Sequence, residues 1–139
     1  RDGRLSRGLG DVYKRQGRPN ATVLSVMGDG SFNFSCGELE TIVRYRLPIK
    51  MFVFSNKTFG WIKAGQNSGF DKRFYNVDFG QTDHAAVASA FGVKSWRANK
   101  PSELSSIIAQ ALSHDGPALV DIISQPLHEA SAPVSEWVA

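Results

Sequence analysis

One cysteine, two methionines and three histidines are all that the 139 residues offer to a soft metal or a redox couple. Cys36 has no second cysteine to pair with, so the chain holds no internal disulfide and a reducing, cytoplasmic setting is expected. Without a Cys/His cluster there is no zinc or iron site to propose. No run approaches the ~18 consecutive apolar residues of a membrane span, and the first residues lack the apolar core of a secretory signal. Internal repeats and low-complexity tracts are also missing.

A basic body is missing too, although the net charge is +3. Residues 1–18 hold six of the 16 basic side chains and two of the 13 acidic ones, which leaves ten basic and eleven acidic residues in the remainder. No groove-reading motif or aromatic-basic platform accompanies the basic segment, so no nucleic-acid partner is expected. What is present is ordinary for a globular domain: 42% apolar and 21% charged residues, in a length that suits one core.

Arg1 to Gln16 has no apolar period and contains three glycines, so residues 1–17 read as an unstructured arm. Within it, Asp11 to Gln16 looks like translated adapter or vector sequence, outside the native protein. Beyond it, Ala21–Met27, Met51–Ser55, Val93–Ala98 and Ala118–Ser124 are short apolar runs without strict alternation, which suits strands buried on both faces of a parallel sheet. Helical patterns fall between them. Leu39, Ile42 and Val43 share a face before Leu47-Pro48 stops the helix. Asp83 caps a segment carrying Ala86, Val87, Ala90 and Phe91, with Gly92 at its end. Leu104, Ile107, Ile108, Ala111 and Leu112 follow the helical template between Pro101 and Gly116-Pro117. The pattern predicts an α/β fold: a doubly wound, mostly parallel sheet with helices on both faces, over residues 18–126. Residues 127–139, which follow Pro126 and hold Pro133 and Trp137, read as a tail.

Ligands of open α/β sheets bind beyond the carboxyl ends of the strands. The first strand is followed by Gly28-Asp29-Gly30-Ser31-Phe32, the second by Asn56-Lys57-Thr58-Phe59-Gly60. A carboxylate and an amide oxygen brought together there would suit a hard cation such as Mg²⁺. Glycines around Asp29 allow close approach and positive φ, and the helix opening near Ser31 presents N–H groups to a phosphate. An isolated Gly-Asp-Gly is otherwise simply a turn.

The two elements stand in a fixed relation: Gly28-Asp29-Gly30, then 25 residues, then Asn56. This resembles the signature of thiamine-diphosphate-dependent enzymes. The text between and after it, Gly37-Glu38-Leu39-Glu40-Thr41, Arg44 to Ile49, Phe59-Gly60, Asp78-Phe79, Ala85 to Gly92 and Asp115 to Asp121, is similar to their C-terminal diphosphate-binding domain in the acetolactate synthase group. The resemblance runs from about Arg18 to Gln125. It implies that Asp29 and Asn56 give side-chain oxygens, and Thr58 its main-chain carbonyl, to Mg²⁺. It also implies a diphosphate held by backbone around Gly28, Gly30, Ser31 and Phe32, with Phe59, Gly60 and Trp61 near the reactive end of thiamine diphosphate. In such enzymes a 2-oxo acid loses CO₂ on the cofactor, and the product carbanion is protonated or joined to a second carbonyl.

Two departures bear on this. Many members carry Asn-Asn where this chain has Ser55-Asn56, and residues 1–16 do not resemble the family's Gly-rich entry to the first strand. The activating glutamate of the family belongs to a separate pyrimidine-binding domain, usually on a partner subunit. Glu38 and Glu40 read instead as first-turn helix acids, and no residue of this chain is assigned as catalytic. The implied whole is a homo-oligomer, and the chain alone is expected to be inactive. Benzoylformate-type decarboxylation is the nearest chemical alternative. A non-catalytic Mg²⁺-binding flavodoxin-like module, or a fragment that merely self-associates, are readings of other classes. His84, His114 and His128 lack metal-ligand spacing and read as surface or helix-end residues, Cys36 as a small buried residue, Trp96 and Trp137 as packing residues, and Lys57 as solvated.

Overall fold

Burying a strand on both faces requires apolar side chains at odd and even positions alike, and the second and fourth runs supply them. A computed structural model describes residues 10–17, 21–127 and 129. Strands β1 (Val23–Gly28), β2 (Ile49–Ser55), β3 (Lys94–Ala98) and β4 (Ala118–Ile123) form one sheet in the order β1-β2-β4-β3, every pairing parallel. The helices are α1 (Gly10–Gly17), α2 (Asp29–Ser35), α3 (Glu38–Arg44), α4 (Gly60–Gly69), α5 (His84–Ala90) and α6 (Pro101–Ser113). This is the expected α/β architecture.

The register divides the core into two layers. On one face Val23, Met51, Val53 and Leu119 meet Phe32 of α2, Leu39 and Ile42 of α3 and Ala88 of α5. On the other, Phe52, Val120 and Ile122 pack beneath Leu104, Ile107, Ile108 and Ala111 of α6. The central strands β2 and β4 are buried almost throughout, whereas β3, at an edge, is mostly half-buried, which explains its weaker apolar signal. Opposite β1 the second layer stops short. Leu24 (54% exposed), Val26 (68%) and Phe54 (42%) lie on that face without a helix over them among the described residues.

Two buried charges sit inside strands. Lys50 of β2 donates its ammonium protons to the carbonyls of His114 and Gly116, pinning the turn between α6 and β4. Burial pushes its pKa below 10.5, with the nearby Asp115 carboxylate opposing. Asp121 of β4 is fully buried.

Helix ends follow from local chemistry. Pro101 stands at the first turn of α6, and Glu103 Oε2 accepts the Asn99 (2.9 Å) and Lys100 (3.2 Å) N–H groups. Gly92 closes the α5 turn at φ +90°, a conformation that side chains rarely adopt. Asp83 caps α5, its Oδ1 accepting the Ala86 N–H at 2.9 Å.

The structure departs from the sequence reading in three places. Gly10–Gly17 is helical, with Val12 buried in the first core layer, so the unstructured-arm reading fails over those residues. A single apolar anchor on an otherwise polar turn carries too little periodicity to be seen from sequence. Residues 1–9 and the tail from 130, with Trp137, lie outside the described residues, as does His128. Helix α4, not anticipated, holds Gly60, Gly65 and Gly69 and buries only Ala64. Its glycines and its thin apolar stripe conceal it. Strand limits shift by one or two residues, β2 starting at Ile49 directly after Pro48.

The Asp83 cap yields a prediction. Ala86 N–H, then Arg97 at 3.0 Å, hold the Asp83 carboxyl below its ordinary 3.8. A depressed folded pKa means that the carboxylate stabilises the fold above 3.8 and ceases to do so as pH falls through the lower folded value. Asp83→Ala should cost about 1 kcal/mol in urea unfolding at neutral pH, and the gap from the parent chain should narrow in acid below 3.8.

Candidate metal and diphosphate site

Gly28 of β1 pairs with Phe54 of β2, so the residues that follow each strand emerge level with one another. Asp29 is the first residue of α2, 3% exposed, with Gly28 as the N-cap. Its Oδ1 accepts the Gly30 N–H (2.8 Å), and its Oδ2 accepts the N–H groups of Asn56 (2.9 Å) and Lys57 (2.7 Å). The acid of the first loop therefore grips the backbone of the second across 27 positions of sequence. These two loops are the ones that the spacing pointed to.

The second loop turns sharply. Lys57 adopts φ +62°, a left-handed conformation that costs a non-glycine residue roughly 1–2 kcal/mol. Its side chain is exposed, as expected. The segment then forms a short antiparallel ribbon centred on Thr58 and Asp78. Phe59 N–H donates to Val77 C=O and Phe79 N–H to Lys57 C=O, each at 2.8 Å. In this pattern the N–H and C=O of Thr58 itself face the opposite side. There the Thr58 N–H meets Asn56 Oδ1 at 3.1 Å, while its hydroxyl donates to Val77 C=O at 2.7 Å. The side chains of Asp29 and Asn56 and the main chain of Thr58 thus gather at one rim.

Phe59 and Phe79 form an edge-to-face pair, centroids 4.4 Å apart, above Gly30. A Cβ on Gly30 would come within 2.9 Å of the Phe59 ring and 3.2 Å of Phe79, so glycine is required there by close packing. A Cβ on Gly28 would meet nothing within 4 Å, and that face of the loop is open. The positive φ expected around Asp29 is not found: Gly28 has φ −83°. Ser31 is exposed, but Phe32 is a core ring (2% exposed), leaving only its main chain for a ligand. Gly60 lies against the Asn56 amide and Leu127. Trp61, on α4, is 55% exposed.

A buried network under this rim escaped the sequence reading. His84, expected at a surface or helix end, does open α5 but is 4% exposed. Its Nδ1 lies 2.9 Å from Ser55 Oγ, and Ser55 donates to Asp121 Oδ1 at 2.5 Å. Arg97 Nε stands 3.8 Å from Asp121 Oδ2, which accepts no hydrogen bond. The available signal was Asp121 itself, a lone charge inside Ala-Leu-Val-Asp-Ile-Ile, since a buried carboxylate requires partners. His114 caps the end of α6, exposed, and Cys36 is half-buried between α2 and α3. Trp96 packs under α6.

The sequence pattern of the family described as "Thiamine pyrophosphate enzyme, C-terminal TPP binding domain" matches residues 10–122. The chain belongs to this family. The "Probable acetolactate synthase large subunit" of Methanococcus aeolicus is 34% identical over 110 residues, covering 78% of this chain and 18% of that protein. The "Acetolactate synthase" of Bacillus subtilis is 35% identical over 105 residues, 76% of this chain and 18% of that protein. The "Acetolactate synthase large subunit" of Cyanidium caldarium is 34% identical over 107 residues, with 76% and 18% covered. The chain spans about 18% of the length of the curated relatives it matches. In this member of the family, no helix among the described residues is long and apolar enough to cross a membrane.

Packing at Gly30 supplies a test of the loop geometry. Gly30→Ala forces the Phe59 and Phe79 rings apart and should destabilise by about 1–3 kcal/mol, the usual cost of overpacking. Urea unfolding followed by tryptophan fluorescence reads it, and an unchanged midpoint would refute the close approach.

Proposed function

We propose that this chain is the diphosphate- and Mg²⁺-binding domain of a thiamine-diphosphate-dependent 2-oxo-acid carboligase or decarboxylase of the acetolactate synthase type. The observation that carries the reading is the buried Asp29 carboxylate joined to the Asn56 loop at the ends of two adjacent parallel strands. The donor set fits a hard ion. Asp29, Asn56 and Thr58 present oxygens only, as Mg²⁺ prefers. A carboxylate has about four acceptor positions, and the three N–H groups on Asp29 leave capacity on Oδ1.

In this reading Asp29, Asn56 Oδ1 and the Thr58 carbonyl hold the metal. Backbone N–H groups around Gly28, Ser31 and Phe32 would serve the diphosphate, the Gly30 N–H being taken by Asp29 Oδ1, and the open side of Gly28 would give it room. Phe59, Gly60 and Trp61 border the reactive end. Thiamine diphosphate, when bound, supplies the electron sink for loss of CO₂ from a 2-oxo acid. What these residues contribute is charge neutralisation and orientation. The activating glutamate is expected on the pyrimidine-binding domain, outside these 139 residues, in a homo-oligomeric and cytoplasmic parent enzyme. Within this chain, residues 18–126 form the binding domain, with α1 packed against its first core layer, and 127–139 form its tail.

Calorimetric titration tests the assignment. Thiamine diphosphate should bind the chain weakly in Mg²⁺ and not in EDTA. Asp29→Ala and Asn56→Ala should each weaken binding by at least about tenfold, the scale of losses at metal sites, and the chain should release no CO₂ from pyruvate. Undiminished binding in both variants would overturn the metal assignment, and sustained pyruvate turnover would overturn the expectation of an external activating acid.

A further inference from the structure

His84 touches both loops of the site through residues one step removed from it. Its Nδ1 meets Ser55, the residue before Asn56, at 2.9 Å. Its Nε2 lies 3.2 Å from Asn33 Oδ1, on the helix that Asp29 begins. The ring also stands edge-on to Phe32, centroids 5.3 Å apart, which limits its rotation. We propose that His84 is a positioning residue: it cross-braces the loop carrying Asp29 to the loop carrying Asn56 and sets their separation. This rests on the reading of those loops as the metal and diphosphate site.

Proton accounting gives the brace a direction. Ser55 has one hydroxyl proton, and it goes to Asp121 Oδ1 at 2.5 Å. Ser55 Oγ can then only accept from the ring, so His84 donates from Nδ1, and Nε2 accepts from Asn33 with the Asn33 amide turned so that its NH₂ group faces the ring. Asp121, fully buried on β4, anchors the far end, and Arg97 beside it also reaches Asp83 at the start of α5. The chain of contacts runs from α2 through α5 to β2 and β4. His84, Ser55 and Asp121 are buried, so the hydrogen bonds among them cannot be exchanged for water at no cost. Ser55 thus has a defined partner on each side in this chain.

Backbone amide exchange by NMR, on the whole 139-residue chain without ligand, reads the brace directly. The Asn56 and Lys57 N–H groups report whether their bonds to Asp29 are held. Ser55→Ala and His84→Ala should speed their exchange about fivefold, the equivalent of one hydrogen bond, while amides in the middle of β2 and β4 keep their rates. Ser55→Thr, which retains the hydroxyl, should restore protection, and ring ¹⁵N shifts should place a proton on His84 Nδ1. Asn33→Ala, at an exposed position, cuts the Nε2 contact without threatening the core and should give a smaller effect of the same sign. Unchanged Asn56 and Lys57 exchange in all three alanine variants, or acceleration spread evenly over the sheet, would overturn the proposal. Titration with Mg²⁺ and thiamine diphosphate separates the two claims: faster local exchange in a chain that never binds the cofactor supports the brace and removes the site reading.

Discussion

A single carboxylate holds the carboxyl end of this sheet together. Asp29, almost wholly removed from water, would be costly there unless its charge were met. Three main-chain N–H groups meet it, two of them from a loop that chain connectivity leaves 27 positions away. The consequence is that the two strand ends cannot drift independently: the acid fixes the Asn56 turn, the turn tolerates left-handed Lys57, and the ribbon beyond it sends the Thr58 main chain back toward Asn56. Parallel pairing of β1 with β2 brings the loops close, and the carboxylate converts closeness into a fixed geometry.

Much of this was legible in the residues. The continuous apolar runs of β2 and β4 announced strands buried on both faces, because sheet burial alone demands that pattern. Pro101, Asp83 and Gly92 marked helix limits, since each residue type answers a specific requirement of the backbone at a helix end. The convergence of Asp29 and Asn56 followed from the rule that ligand loops gather where parallel strands end. What stayed hidden lacked a local signature. Helix α1 is anchored by Val12 alone, and α4 is diluted by glycine. The purpose of Gly30 was misattributed: it is steric, imposed by Phe59 and Phe79, and those rings come from segments far along the chain.

The arrangement of the polar layer beneath the rim was hidden, because it is a property of three dimensions. Ser55, His84 and Asp121 come from a strand end, a helix start and a central strand, with no spacing that links them. Charges inside apolar runs were the visible trace. Asp121 interrupts such a run and Lys50 stands immediately before one, and each proves to be tied to a defined partner: the Ser55 hydroxyl in the first case, carbonyls of the α6–β4 turn in the second. A buried ion in a strand is best taken as half of a contact whose other half remains to be found.

The unroofed part of the sheet has a practical side. Leu24, Val26 and Phe54 present contiguous oil to water beside strand β1, whose outer backbone edge pairs with no other strand among the described residues. Such a surface makes solubility more fragile than folding. Sulfate, by strengthening apolar association, should bring molecules out of solution while their interiors stay intact.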